Sequence, residues 1–87
     1  MSRDAMASRI SARQKVAAAV YRRNGTTVTA GQMARALELA VAWAQVAYTQ
    51  GVTLEDLAGT PGDLSTIALD AVLNRDRRLA VRRAVTP

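Results

Sequence analysis

The segment of residues 30–50 constrains the fold most, because a helix built from it is apolar around most of its circumference. Its apolar residues form two stripes with alanines between them: Met33, Leu37, Val41, Ala44 and Tyr48 in one, and Leu39, Trp43 and Val46 in the other. A helix of this kind must be covered on two sides. In 87 residues the other helices are expected to cover one side, so the Trp43 stripe is either core or a surface for another chain.

Two helix starts carry the pattern of a capping box. Thr29 is followed three residues later by Gln32, and Thr53 is followed by Asp56 at the same distance. In such a box the first side chain and the later one each bond the backbone N–H of the other. Each start is also flanked by two apolar residues that form a hydrophobic staple, Val28 with Met33 and Val52 with Leu57.

The chain is predicted to be one all-α domain over residues 1–87, without a sheet. On the first helix the apolar stripe is Met6, Ile10, Ala17, Val20 and Tyr21, and Asn24 and Gly25 supply the left-handed residues that end it. The apolar stripe changes register near Asn74, which predicts a helix break there. The predicted bundle has four helices, at about 4–23, 30–50, 53–58 plus 63–73, and 75–84.

The hydrophobic fraction of 49% overstates the core, because 18 of the 87 residues are alanine. Alanine buries little apolar area, so a domain of this size gains little stability from such a core. Small residues at a spacing of four allow a second helix, of this chain or of another copy, to approach closely. The predicted protein interface therefore consists of Ala36, Leu39, Ala40, Trp43 and Val46.

Charge is distributed in three blocks along the chain. Residues 1–23 carry a net charge of +5, residues 24–70 carry −4, and residues 71–87 carry +4. Basic ends of this kind can bind polyanions or the acidic middle of a neighbouring copy. The predicted contacts with nucleic acid or an acidic partner are Arg9, Arg13, Arg22, Arg23, Arg75, Arg78, Arg82 and Arg83.

The composition argues against several functions. The chain has no His and no Cys, so it lacks His-dependent catalytic pairs and the usual zinc ligands. The adjacent carboxylates Glu55 and Asp56 lie side by side at a helix start rather than across a cleft. The sequence predicts no enzyme activity, no cofactor, no metal, no small-molecule substrate and no membrane span.

The sequence predicts a non-enzymatic helical interaction protein that self-associates or docks on a larger protein assembly. High Ala and Arg content with a single Lys is typical of GC-rich genomes, which favours a bacterial or phage particle subunit, in the cytoplasm or in a particle assembled there. The alternative is a small DNA-binding regulator, since residues 52–73 resemble a helix-turn-helix. Asp63 and Asp70 on its second helix disfavour that alternative, and inhibition of a larger enzyme is a third hypothesis.

Overall fold

The computed structural model describes residues 3–51 and 64–85, which form three α-helices: α1 (Arg3–Arg23), α2 (Ala30–Gln50) and α3 (Leu64–Val85). The all-α prediction is confirmed, since neither described range contains a strand. The predicted short helix at 53–58 and the second capping box lie outside the described residues.

Helix α1 ends at the predicted place, in a Schellman motif. The backbone N–H of Thr26 donates to the carbonyl of Tyr21 at 2.9 Å, and that of Gly25 donates to Arg22 at 3.1 Å. Both bonds satisfy carbonyls that have no partner within the helix. Gly25 adopts the left-handed φ of +88° that this motif requires, whereas Asn24 does not, so one left-handed residue suffices where two were expected.

Helix α2 begins with the predicted capping box. The backbone N–H of Gln32 donates to Oγ1 of Thr29 at 3.1 Å, and the backbone N–H of Thr29 donates to Oε1 of Gln32 at 2.8 Å. The two flanking residues of the staple also belong together, because buried Val28 and half-buried Met33 pack in the same core cluster. This start is therefore determined by local sequence.

The predicted break near Asn74 is wrong. Helix α3 is continuous from Leu64 to Val85, in place of the separate helices expected at 63–73 and 75–84, so the described residues form three helices and not four. The prediction assumed that both halves pack one face against the bundle. In the structure every buried residue of α3 lies between Leu64 and Leu73, and the residues after half-buried Leu79 are exposed. A helix that leaves the bundle needs no continuous apolar face.

Helix α2 runs antiparallel to both other helices. Ile10 of α1 shares a core cluster with Leu64 at the start of α3, and Ala18 shares a second cluster with Leu73 farther along. Helices α1 and α3 therefore run in the same direction. Arg35 near the start of α2 pairs with Asp76 late in α3, and Ala44 farther along α2 shares a cluster with Leu64 at the start of α3, so α2 runs the opposite way.

The core is alanine-rich where the helices meet. Ala18, Ala36, Ala40 and Ala68 have no exposed surface, and Leu69 is the largest fully buried apolar residue within the described ranges. Side-chain size at the contact sets the separation of packed helices, so alanine on all three helices allows close packing. The sequence predicted this use of alanine without identifying the partner helices, which here belong to the same chain.

The sequence pattern predicted that Val20 belongs to the buried face of α1. In the structure Gln14 is buried on this face and Val20 is not. Gln14 is 1% exposed, and its Nε2 donates to the carbonyl of Ser65 at 3.3 Å, whereas Val20 is 48% exposed. A buried amide is tolerated when it has a hydrogen-bond partner. The stripe prediction counted apolar side chains and could not anticipate that the carbonyl of Ser65 lies opposite Gln14.

Candidate interaction surfaces

The predicted interface residues of α2 lie at three depths. Ala36 and Ala40 are fully buried within the chain, in two different core clusters. Leu39 and Trp43 are half-buried and pack against the core, while Val46 is 45% exposed. On this face, another chain can reach Val46 and the outward parts of Leu39 and Trp43.

A second exposed apolar surface lies on α1, where sequence reasoning did not place one. Val16 is 68% exposed and Val20 is 48% exposed, one turn apart. Both line an open groove of about 480 Å³ between α1 and α3, together with Arg13, Ala17, Tyr21 and Thr66. We call the surface formed by Ala12, Val16, Ala19 and Val20 the outer face of α1. The signal was present in the sequence, since these four residues lie on the side of α1 away from Gln14.

The parallel course of α1 and α3 brings two basic segments together. The last turn of α1 and the second half of α3 lie at the same end of the bundle, because successive residues of α1 pack against successive residues of α3. We call this the arginine-rich end and define it by seven arginines: Arg22, Arg23, Arg75, Arg77, Arg78, Arg82 and Arg83. All seven are exposed. Six of them were predicted as contacts from sequence, but as members of two separate segments.

The last six described residues of α3 extend beyond the helix packing. Leu79 is the last half-buried residue, and residues 80–85 are all exposed. At 1.5 Å per residue this extension is roughly 9 Å long. It includes Val81 at 59% and Val85 at 77% exposure, next to Arg82 and Arg83.

The acidic residue within this end, Asp76, is engaged by neighbouring side chains. Nη1 of Arg35 donates to its Oδ1 at 3.0 Å, Nη2 of Arg35 donates to its Oδ2, and Nε2 of Gln32 donates to Oδ2 at 3.0 Å. The hydrogen bonds from Arg35 and then Gln32 lower the pKa of Asp76 to about 2. Asp76 is therefore ionised at neutral pH, and its main partner is Arg35, with a smaller electrostatic contribution from Arg75, one of the seven arginines.

Two predicted basic residues do not belong to this end. Arg9 precedes Ile10, which packs beside the start of α3, and Arg13 lines the groove next to Thr66. Both arginines therefore lie on the first half of α1, toward the opposite end of the bundle. The structure divides the eight predicted basic contacts into a group of six and a separate pair.

The helix-turn-helix alternative depends on α3 as a recognition helix. The first half of α3 carries no Arg or Lys, and six of its residues are buried between α1 and α2. Asp70 is half-buried with Oδ1 inaccessible to solvent, and burial raises its pKa. The proposed turn lies outside the described residues, so α3 contributes the only described evidence, and its accessible basic residues begin at Arg75.

No family model, curated protein or solved structure matches this chain. Across residues 3–51 and 64–85, none of the helices combines the length and apolar character that a membrane crossing requires.

Proposed function

We propose that this chain is a non-enzymatic helical interaction protein that docks on a negatively charged partner through the arginine-rich end. The observation that carries the proposal is the convergence of seven exposed arginines from α1 and α3 at one end of the bundle. A concentration of one sign of charge raises both the rate and the selectivity of association with a partner of opposite charge.

The seven arginines differ in their position relative to the packed core. Residues 80–85 extend beyond the last half-buried residue, so Arg82 and Arg83 cover no core. Arg22 differs, because its Nη2 donates to the carbonyl of Val28 at 2.8 Å and so supports the turn before α2. Arg82 and Arg83 thus lie on an exposed part of the helix that a partner can reach. We place this role in the cytoplasm or in a particle assembled there.

The proposal is tested by neutralising two arginines at this end. Arg78→Gln with Arg83→Gln removes two positive charges from exposed positions of α3. We expect binding to a polyanion column, such as immobilised heparin, to weaken, so that the double variant elutes at lower salt than the unmodified chain. The matched control is Arg9→Gln with Lys15→Gln, which removes two charges from α1 outside the arginine-rich end. Equal shifts for both double variants would mean that net charge alone determines retention.

The exposed valines favour a second candidate function, self-association through the outer face of α1. Val16 and Val20 offer another copy an apolar contact, although Arg9, Arg13 and Arg23 flank this face. In a twofold contact between two such faces like charges repel each other, and salt screens that repulsion. Dimerisation through this face should therefore strengthen with salt, whereas docking at the arginine-rich end should weaken.

Light scattering over a salt series tests this second candidate. Val16→Glu should abolish the dimer while leaving the helical circular dichroism unchanged, because Val16 is largely exposed. Val46→Glu is the control for the predicted α2 interface, and it is a cleaner test than replacing Trp43, which packs against the core. A monomer at all salt concentrations would exclude the self-association hypothesis.

A further inference from the structure

We infer that the partner of the arginine-rich end is the phosphate backbone of double-stranded nucleic acid, bound without sequence preference. This inference rests on the proposed function and specifies its partner. It concerns the five arginines of α3, with Arg22 and Arg23 beside them.

The arginines of α3 surround the helix instead of lying on one face. With about 100° between successive residues, Arg75, Arg78 and Arg82 fall within about 60° of one another. Arg83 lies about 100° to one side of that stripe, and Arg77 lies about 140° to the other. A flat acidic protein surface can contact one side of such a helix. A nucleic-acid groove has a phosphate strand on each side, and the B-DNA major groove, about 12 Å wide, admits an α-helix.

The extension of α3 beyond the bundle makes this placement sterically possible. Residues 80–85, which include Arg82 and Arg83, are all exposed, so about one and a half turns of α3 can approach a groove before the bundle meets the backbone. At that point Arg22 and Arg23 at the end of α1 are positioned to contact phosphates outside the groove. The arrangement therefore offers contacts both within a groove and on its rim.

The aromatic residues favour a duplex over a single strand. Proteins that bind single strands without sequence preference stack bases on exposed aromatic side chains. At the arginine-rich end the nearest aromatic residue is Tyr21, which is half-buried and packs against the second core cluster. Trp43 packs in the first core cluster, with Ile10 and Leu64. Among the described side chains, none at this end offers a free ring for stacking.

Two features of this end reduce its positive charge, the helix dipoles and the nearby acidic residues, and both effects are small. The C-termini of α1 and α3 both lie here, and each helix dipole contributes the equivalent of about half a negative charge. Asp76 is ion-paired with Arg35, and Asp70 lies one turn before Asn74, on the bundle side of the extension. Among the described residues, the seven arginines therefore exceed the negative charge at this end several-fold.

The inference predicts a steep dependence of binding on salt. If five arginines each neutralise one phosphate, log K falls against log salt with a slope of about −4.5. Each arginine–phosphate pair that is removed changes the slope by about 0.9, so Arg78→Gln with Arg83→Gln should reduce it to about −2.7. The same change weakens binding roughly 60-fold at about 0.1 M salt.

The experiment is fluorescence anisotropy with the full chain and four probes, from about 50 to 200 mM salt. The probes are a labelled 20-bp DNA duplex, a second duplex of unrelated sequence, one of its single strands, and poly-L-glutamate. We expect equal affinity for both duplexes, weaker binding to the single strand, and the predicted loss in the Arg78/Arg83 double variant. The Arg9/Lys15 double variant, verified as folded by circular dichroism, should lose less affinity than the Arg78/Arg83 double variant, since Arg9 and Lys15 lie about 20 Å and about 10 Å along α1 from Arg22 and salt screens their charges more strongly there.

The possible outcomes separate this inference from the proposed function. Binding to poly-L-glutamate but not to either duplex would overturn the inference and leave an acidic protein as the partner. Tighter binding to the single strand, or a marked preference for one duplex, would also overturn it. Equal losses in both double variants would show that binding is not located at the arginine-rich end, and binding to none of the probes would count against both proposals.

Discussion

The complete burial of Ala36 leads to a prediction about the core. It concerns the sign of the change in the free energy of unfolding caused by Ala36→Leu. If the helices pack as closely around Ala36 as its complete burial indicates, the added carbons force them apart. Overpacking of this kind costs about 1–3 kcal/mol. If the core instead contained room for a larger side chain, three buried carbons would stabilise the fold by about 2.4 kcal/mol. The free energy of unfolding falls in the first case and rises in the second. The sign of the measured change therefore distinguishes the two cases without a precise estimate of its size.

The assay is urea denaturation followed by circular dichroism and by Trp43 fluorescence, with Ala34→Leu as the matched control. Ala34 lies on the same helix and is exposed, so both substitutions change helix propensity equally. The control should lie within about 0.5 kcal/mol of the unmodified chain. A total stability of about 4–13 kcal/mol is expected for a chain of this length, so Ala36→Leu can remove much of it. If that variant does not fold, Ala36→Val against Ala34→Val repeats the comparison. A stabilised Ala36→Leu would refute close helix packing at this position.

Three further predictions concern individual residues of the fold. Gly25→Ala should cost about 1 kcal/mol in urea denaturation, because its φ of +88° disfavours a side chain although no atom obstructs the added methyl group. Thr29→Ala should cost about 1 kcal/mol by removing the acceptor of the capping box, and Thr29→Ser should restore most of it. Asp76 and Asp70 should affect acid stability in opposite directions. The lowered pKa of Asp76 stabilises the fold above its unfolded pKa, and this contribution is lost as the pH falls toward about 2. The raised pKa of Asp70 means that protonation favours the fold, so Asp70→Asn should be more stable at pH 7 but show less benefit below pH 4. Thermal denaturation of Asp76→Asn and Asp70→Asn across this pH range checks both signs.

Helix ends were predictable because their signals are local. The Thr29 box and the Gly25 motif each involve residues within six positions of each other, so sequence spacing is enough to identify them. The buried face of α1 was less predictable. Burial of Gln14 depends on a carbonyl 51 positions away, at Ser65, and no periodicity within α1 reports that contact. Exposure of Val20 follows from the same shift of the buried face.

The predicted α2 interface illustrates a second limit. Ala36, Leu39 and Trp43 were correctly recognised as apolar positions that something must cover, but the pattern does not say whether the cover is the same chain. In the structure the other two helices bury Ala36 fully and Leu39 and Trp43 in part. The most accessible residue of this face, Val46, lies nearest the polar strip of α2. The side-chain pattern therefore identifies which positions of α2 must be covered. The connection of the helices determines how many of these positions are covered by the same chain.

The error at Asn74 also explains why the arginine-rich end was not predicted. In a chain of helices that reverse direction at each connection, the first and third run in parallel. A turn at Asn74 would create a further helix and return Arg82 and Arg83 along the bundle. Because α3 continues through Asn74, the charges of its second half instead extend past the end of α1, where Arg22 and Arg23 lie. The continuity of one helix thus combines two basic segments, each visible in the sequence, into a single surface. A proline at Ala80, the first residue of the extension, should therefore reduce polyanion binding; because its ring meets the carbonyl of Asp76 the urea midpoint should fall as well, while the circular dichroism of the rest of the bundle remains helical.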